Sequence, residues 1–458
     1  MEALAVNDGP VAGKRPRRLS FLTPARTLAL GFAGVIAIGT ALLMMPVSTV
    51  SGRGGGFLES LFTATSATCV TGLIVVDTAT YWTPFGQVVI AALIQIGGLG
   101  IMTMSTLFAF LLGRRISLRG RLLIQEATGA LTLAGVVRLI KSVLLFTALF
   151  EGLGALILTV RWSFDYPWPR ALALGAFHSV SAFNNAGFDL FSVSLQNYAA
   201  DAWALLTVAG LIIVGGIGFA VIADVYARMG DRHHRLSLHS RLVLRVTAGL
   251  VLGGTLLIFL LEYGNTLQPL PVHGKILSSF FHAVTPRTAG FNSLPMGALH
   301  PATLLLIVVL MFIGASPGST GGGIKTTTFA TLIAAVHAII AGSGSARIGE
   351  RRLPRQVVDR ALAVAAVSLG LVITVTGVLL LSEHKDMLAV LFETTSAFGT
   401  VGLSAGITPD LSALGRVLII LTMYAGRVGP LTLVLAIGQR QRHVTTAVQY
   451  PEERVMIG

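Results

Sequence analysis

The sequence predicts an all-α membrane protein of four repeated units, each a long apolar helix, a short re-entrant helix and a second long apolar helix. Three observations carry this prediction. Apolar residues make up 53% of the 458 residues and charged residues only 12%, where an ordinary soluble domain carries about 25% charged residues. Long and short apolar runs alternate in a fixed order along the chain. A short phrase ending in glycine recurs at Gly72, Gly187, Gly290 and Gly402, at spacings of 115, 103 and 112 residues. That period is far longer than a solenoid repeat and suits a whole membrane module repeated around a central axis.

Apolar runs of the roughly 20 residues a bilayer demands cover 27–50, 85–112, 139–160, 202–226, 242–261, 301–341 (interrupted), 361–381 and 415–437, giving eight expected spans. Within each pair lies a shorter, semi-polar run, at 57–67, 170–183, 275–284 and 387–398. Runs of about 10–14 residues are too short to span and read as re-entrant segments. The chain thus divides into a polar, basic arm (1–26), four repeats (27–113, 114–230, 231–345 and 346–438) and a tail (439–458). The arm has no small-residue cleavage site after its first apolar run and reads as cytosolic, not as a signal peptide. One cysteine, Cys69, leaves no intrachain disulfide framework.

Each short run leads into a similar phrase: Thr68-Cys69-Val70-Thr71-Gly72-Leu73, Asn184-Asn185-Ala186-Gly187-Phe188, Arg287-Thr288-Ala289-Gly290-Phe291 and Gly399-Thr400-Val401-Gly402-Leu403. Ser-Ala precedes three of them (Ser66-Ala67, Ser181-Ala182, Ser396-Ala397), and the third repeat departs with Thr285-Pro286-Arg287. A second glycine series follows in the second long run of each repeat: Gly97-Gly98 with Gly100, Gly215-Gly216 with Gly218, a longer break in the third repeat, and Gly426 with Gly429. The two Gly-Gly pairs read as close helix packing, the usual use of glycine in membranes. The third break, Ser316-Pro317-Gly318-Ser319-Thr320-Gly321-Gly322-Gly323-Ile324-Lys325-Thr326-Thr327-Thr328, is too long and polar for a packing notch. It is not a phosphate-cradling loop either, because Ile324 separates Gly323 from Lys325 where that motif needs Gly-Lys-Ser/Thr. Irregular backbone at membrane depth is tolerated where it lines a cavity or is buried in protein. The loop at 314–328 is therefore expected to lie inside the membrane.

Lysine and arginine set the orientation. Twenty-four of the 33 fall on the side of the termini, including Arg114, Arg115, Arg228, Arg241, Arg245, Arg347, Arg351 and Arg440. Six fall on the other side, and Arg287, Lys325 and Arg427 lie at membrane depth. Both termini are thus expected in the cytoplasm and the glycine phrases toward the outside. The same loops account for the +13 net charge without nucleic acid.

A re-entrant helix that stops mid-membrane points unsatisfied carbonyls, and their partial negative charge, at the centre. The segment after it returns in extended form and turns backbone carbonyls inward. Four such segments form rings able to replace the hydration shell of a dehydrated cation. Glycine supplies the backbone angles and the clearance that an ion needs. No ring of acidic side chains lies in the four phrases, so selectivity is assigned to the backbone, which favours potassium over a divalent ion.

These residues carry a family resemblance. The four helix–pore-helix–helix repeats, the phrases "TCVTGL", "SAFNNAGFD", "TPRTAGFN" and "SAFGTVGLS", and the closing "MYAGRVGPLTL" resemble the Trk/Ktr/HKT potassium transporter superfamily. With eight spans and no extra N-terminal helix pair, the chain is most similar to its KtrB-type membrane subunit. The resemblance spans 27–437. It implies eight transmembrane helices and four pore helices around a pseudo-fourfold central pore, and potassium uptake with K+ as the permeant ion. The implied filter comprises Cys69, Val70, Thr71 and Gly72; Asn184, Asn185, Ala186 and Gly187; Arg287, Thr288, Ala289 and Gly290; and Gly399, Thr400, Val401 and Gly402. The glycine of each phrase is its signature residue. The resemblance also implies a homodimer in the cell membrane, docked on a cytosolic KtrA-type nucleotide-binding regulatory ring, with Na+ as an activating ion. In that family the broken helix is an intramembrane gating loop beneath the filter. Gly318, Gly321, Gly322 and Gly323 would let it bend, Lys325 would make it polar, and Arg427, at corresponding depth in the fourth repeat, would hold it or raise a positive barrier.

Arg287 is expected to brace the filter by bonding carbonyls. His178, His282 and Glu393 are expected to brace the re-entrant helices, since no metal-ligand spacing appears. Glu151 is read as a helix contact or a proton or sodium site, His233-His234 as a solvated pair, and the basic loops as a docking surface or a lipid-facing charged face. A sodium- or proton-coupled symporter with alternating access is the competing class, but such transporters usually have inverted repeats, and these repeats run in one orientation. No His-Glu-x-x-His motif or paired intramembrane carboxylates point to an enzyme. No span carries the regular arginines of a voltage sensor.

Overall fold

The computed structural model describes residues 24–100, 133–231 and 235–429. The N-terminal arm up to residue 23, the basic stretch containing Arg114, Arg115, Arg119 and Arg121, His233, His234 and the tail at 439–458 lie outside the described residues.

Among the described residues, the regular structure is helical apart from one small hairpin. The first unit holds α1 (Pro24–Leu43), α2 (Phe57–Thr68), the single turn α3 (Thr78–Tyr81) and α4 (Pro84–Leu99). The second holds α5 (Leu133–Trp162), α6 (Trp168–Phe183), α7 (Ala202–Ile217) and α8 (Phe219–Gly230). The third holds α9 (Leu238–Glu262), α10 (Val272–Val284), α11 (Pro301–Phe312) and α12 (Thr326–Ile340). A hairpin of β1 (Arg347–Ile348) and β2 (Arg351–Arg352) leads into the fourth unit, α13 (Arg355–Glu383), α14 (Met387–Gly399) and α15 (Ala413–Val428). Gly349 at φ 59° turns the hairpin.

Three helical segments, Lys141–Trp162, Leu238–Glu262 and Arg355–Glu383, are long and apolar enough to cross a membrane. Each is the first long helix of its unit. In the second long runs, α4, α7 and α15 have 16 residues each, about 24 Å of helix at 1.5 Å per residue. Of the expected spans at 85–112, 202–226 and 415–437, residues 101–112 and 430–437 lie outside the described residues, and within the described ones each helix stops at a glycine. The cause is Gly100, Gly218 and Gly429, whose φ values of 78°, 100° and 90° end the helix in a conformation that side chains with a Cβ seldom adopt. After Gly218 the chain turns into α8, bent 101° from α7.

The starts of these helices are equally legible. Thr83, Asp201, His300 and Ser412 accept hydrogen bonds from first-turn N–H groups of α4, α7, α11 and α15, and Pro84 and Pro301 occupy the first helical position, where the missing N–H does no harm.

The units close on one another. Within each, the short helix packs on the first long helix. Between units, α4 packs on α6, α7 on α10, α11 on α14 and α15 back on α2. Within the first, second and fourth units, Gly97, Gly215 and Gly426 let the second long helix approach the short one: a Cβ there would overlap the carbonyl of Thr68, Phe183 and Phe398, residues at or next to the ends of α2, α6 and α14. The equivalent residue of the third unit, Gly314, lies instead against Gly322 and Gly323. The broken segment occupies that notch.

Candidate functional site

The four glycine phrases meet at one point. After each short helix, one residue without glycine's freedom adopts a left-handed conformation: Val70 at φ 58°, Asn185 at 60°, Thr288 at 76° and Thr400 at 50°. Two residues later each glycine does the same, Gly72 at 93°, Gly187 at 68°, Gly290 at 81° and Gly402 at 94°. A left-handed β-branched residue is costly and survives only where its surroundings hold it.

The glycines form a closed ring. A Cβ built on Gly72 would lie 3.0 Å from Gly187 Cα, one on Gly187 2.9 Å from Gly290 Cα, one on Gly290 3.1 Å from Gly402 Cα, and one on Gly402 3.0 Å from Gly72 Cα. Each glycine also abuts a carbonyl of the following unit: Gly72 that of Ala186, Gly187 that of Ala289, Gly290 that of Val401 and Gly402 that of Thr71. The ring therefore has room for backbone alone.

The short helices hold it in place. Ser66 Oγ accepts the Gly72 N–H at 3.0 Å and Ser396 Oγ accepts the Gly402 N–H at 3.1 Å. In the other two units the hydroxyl donates instead, Ser181 to the Phe188 carbonyl and Thr285 to the Phe291 carbonyl, each at 2.6 Å. His178 Nε2 accepts the Leu190 N–H, and His282 Nε2 accepts those of Ser293 and Leu294. Glu393 accepts the hydroxyls of Ser404 and Thr408. Each of these three side chains thus ties a short helix to the segment that leaves the ring.

The remaining predicted residues fall around the ring. Cys69 is fully buried at the end of α2, where its N–H donates to Thr65 O and the following Val70 N–H donates to Ala67 O. The Asn184 amide donates to Glu151 Oε1 at 2.8 Å and to Gln95 Oε1 at 2.9 Å, which joins the first and second units. Asn185 lies 3.3 Å from Thr288 Oγ1, which joins the second and third. Arg287 is 4% exposed. Its Nε and Nη2 meet no hydrogen-bond partner among the described residues, so the carbonyl bracing expected of those nitrogens is not formed.

On one side of the ring, the interrupted segment fills the space. Gly321 lies against the Thr288 hydroxyl and Gly322 against that of Thr400, two of the left-handed residues. Thr320 Oγ1 is 3.1 Å from Gly215 O and 3.3 Å from Phe183 O. Ser316 N–H donates to Gly216 O at 3.0 Å, and Phe219 N–H donates to Gly318 O at 3.1 Å. Gly318 is left-handed at φ 70° and Gly323 at 68°. Lys325 Nζ donates to Gly321 O at 2.6 Å and so binds the loop to itself. Arg427 donates to Thr320 O at 2.5 Å and, through its other terminal nitrogen, to Gly97 O. One guanidinium from the fourth unit thereby clamps the loop of the third to the glycine notch of the first.

On the other side the four glycines floor an open cavity of about 600 Å³, whose wall includes Asp77 and Asp189. Sequence reasoning missed these two carboxylates, although Asp189 stands two residues after Gly187. Asp77 accepts the Ser192 hydroxyl at 2.6 Å across the mouth. Asp189 accepts the Phe191 N–H at 3.0 Å. Burial pushes the Asp189 carboxyl up to about 7, against the opposing pull of that hydrogen bond.

Known proteins resemble this chain in sequence and in fold. The family model described as the TrkH cation transport protein matches residues 26–442. The chain is 44% identical to Ktr system potassium uptake protein B of Bacillus subtilis, over 95% of this chain and 97% of that one. It is 38% identical to potassium/sodium uptake protein NtpJ of Enterococcus hirae, over 95% and 98%. In fold it resembles the crystal structure of the potassium transporter TrkH from Vibrio parahaemolyticus, with a TM-score of 0.73 at 16% identity over 92% of this chain and 86% of that one. The chain belongs to the TrkH family of cation transport proteins.

Proposed function

We propose that this chain is the potassium-translocating membrane subunit of a Ktr-type uptake system. In this reading the four units are helix–pore-helix–helix repeats that cross the membrane eight times around a pseudo-fourfold pore, with both termini in the cytoplasm. The ring of Gly72, Gly187, Gly290 and Gly402, each against a carbonyl of the next unit, is the observation that carries it. The carbonyls of the four phrases take the place of water around a dehydrated cation. The C-terminal ends of α2, α6, α10 and α14 add partial negative charge. The cavity holding Asp77 and Asp189 receives the ion from outside, and the clamped loop at 314–328 closes the path on the cytosolic side. The chain works as a homodimer on a cytosolic KtrA-type nucleotide-binding ring, and sodium stimulates uptake. Two relatives support the choice of ion, one named for potassium uptake and one for potassium/sodium uptake.

The test is flux into liposomes from the purified chain. Potassium is expected to enter faster than sodium, with a single-channel conductance linear in voltage. Equal entry of the two ions would refute the filter. Saturating, counter-ion-coupled transport without channel events would favour the symporter.

Asp189 gives the outer cavity a pH signature. Asp189 is neutral below its raised value and charged above it, so potassium uptake from dilute medium is expected to rise as external pH goes from 6 to 8. Asp189→Asn is expected to flatten that dependence and to lower uptake at pH 8 by about tenfold, the lower end of what a charged cleft adds to cation capture. A variant that keeps the wild-type pH profile would assign the titration elsewhere.

A further inference from the structure

Far from the ring, five arginines converge on one cavity of about 1010 Å³. Arg228 comes from the end of α8, Arg235 from the following loop, Arg241 and Arg245 from the first two turns of α9, and Arg351 from β2. Glu350 is the single acidic residue in the wall. Among the described residues, Arg235, Arg241, Arg245 and Arg351 form no ion pair. The first turn of α9, capped by Ser237, faces the same space and adds the partial positive charge of a helix N-terminus. Arginine is the side chain that best matches phosphate, through its planar fork of donors.

The surroundings say where the phosphate comes from. The 101° bend at Gly218 turns α8 away from the direction of α7. α8 carries exposed Tyr226 and Met229, 64% and 79% accessible, next to Arg228. A helix with aromatic and apolar residues exposed beside basic ones lies in the membrane interface. Basic pockets between helices at that depth suit anionic headgroups.

We infer that this cavity binds the phosphate headgroup of an anionic membrane phospholipid. The inference rests on the membrane placement of the chain and not on its ion selectivity. The other end of α8 begins at Phe219, whose N–H holds Gly318 of the interrupted loop, so a lipid anchored at Arg228 would fix one support of that loop.

The test uses the purified full chain in detergent, titrated with phosphatidylglycerol or phosphatidylcholine, with bound lipid counted by native mass spectrometry. Phosphatidylglycerol is expected to be retained in preference. The combined Arg241→Gln, Arg245→Gln and Arg351→Gln variant is expected to lose about a hundredfold in phosphatidylglycerol affinity, from the summed loss of three arginines near an anionic group. Retention equal to wild type overturns the site, as does a wild type without preference between the lipids. Inorganic phosphate at millimolar concentration is expected to leave the lipid bound; its displacement by phosphate would overturn the membrane source. On the unaltered chain, a photoactivatable phosphatidylglycerol is expected to label 235–245 or 347–352, and labelling confined elsewhere overturns the site without any variant. None of these readouts needs ion flux, so a failure of the potassium reading would leave them standing.

Discussion

Gly290→Ser is expected to abolish the preference for potassium over sodium in liposome flux and to cut potassium entry at least tenfold. Three effects act in the same direction. Gly290 sits at φ 81°, where a residue with a Cβ is disfavoured by about 1–2 kcal/mol. The new Cβ would run into the Val401 carbonyl and stand 3.0 Å from Gly187 Cα and 3.1 Å from Gly402 Cα, and all of these atoms are backbone with no rotamer to yield. Only a shift of the ring relieves the overlap, and a carbonyl moved from its place no longer matches a dehydrated potassium ion. A loss of about 1.4 kcal/mol at the barrier is already tenfold in rate. The same substitution at Gly152, where a Cβ would meet nothing within 4 Å, is expected to leave flux unchanged and serves as the control. Wild-type selectivity in Gly290→Ser at equal incorporation would remove the backbone ring as the filter.

Much of this arrangement is legible in the chain, because glycine does two jobs whose signatures survive in sequence. The phrase glycines recur once per unit, and the order of long and short runs brackets them. The second glycine series was legible only in part. Gly97, Gly98, Gly215 and Gly426 pack closely against neighbouring elements, as glycines in apolar helices often do. Gly100, Gly218 and Gly429 look the same in sequence yet reverse the backbone and end their helices. Position in an apolar run does not distinguish a notch from a break, which is why the sequence announces neither the helix ends at these glycines nor the bend into α8.

Other features could not be read locally at all. Val70 and Thr400 are β-branched, and their propensity argues against the left-handed conformation that the ring imposes. Asp77 belongs to the first unit and Asp189 to the second, and only the closure of the units brings them to one cavity. The sequence marks Arg427 as a charge at membrane depth, but its partners, Thr320 O and Gly97 O, are 107 and 330 residues away. An intramembrane charge demands partners; the sequence states the demand and the fold supplies the answer.

Those partners make Arg427→Ala the second large effect, expected to raise potassium flux through purified protein by about tenfold. Among the described residues, Lys325 bonds only carbonyls of its own loop, Gly321 O and Gly322 O, so it shapes the segment without tying it to another described unit. Arg427 does tie it, to the fourth unit through its own helix and to the first through Gly97 O. Each hydrogen bond to a charged group contributes about 1.5–3 kcal/mol, and losing the pair removes the strongest link holding the loop, with Gly321 against Thr288 and Gly322 against Thr400. The weaker bonds to Gly215, Gly216 and Phe219 remain, so the loop stays folded but opens more often. Arg427→Lys keeps the charge and can satisfy one carbonyl at a time, and an intermediate flux is expected. The two variants separate the explanations: if the charge itself repels the cation, Lys should conduct like wild type, whereas a clamp requires Lys to fall between Arg and Ala. Deletion of Gly321–Gly323 should exceed both, since it removes the segment that lies against the ring. Wild-type flux in both Arg427→Ala and the deletion, at equal incorporation, would show that the barrier to potassium lies elsewhere.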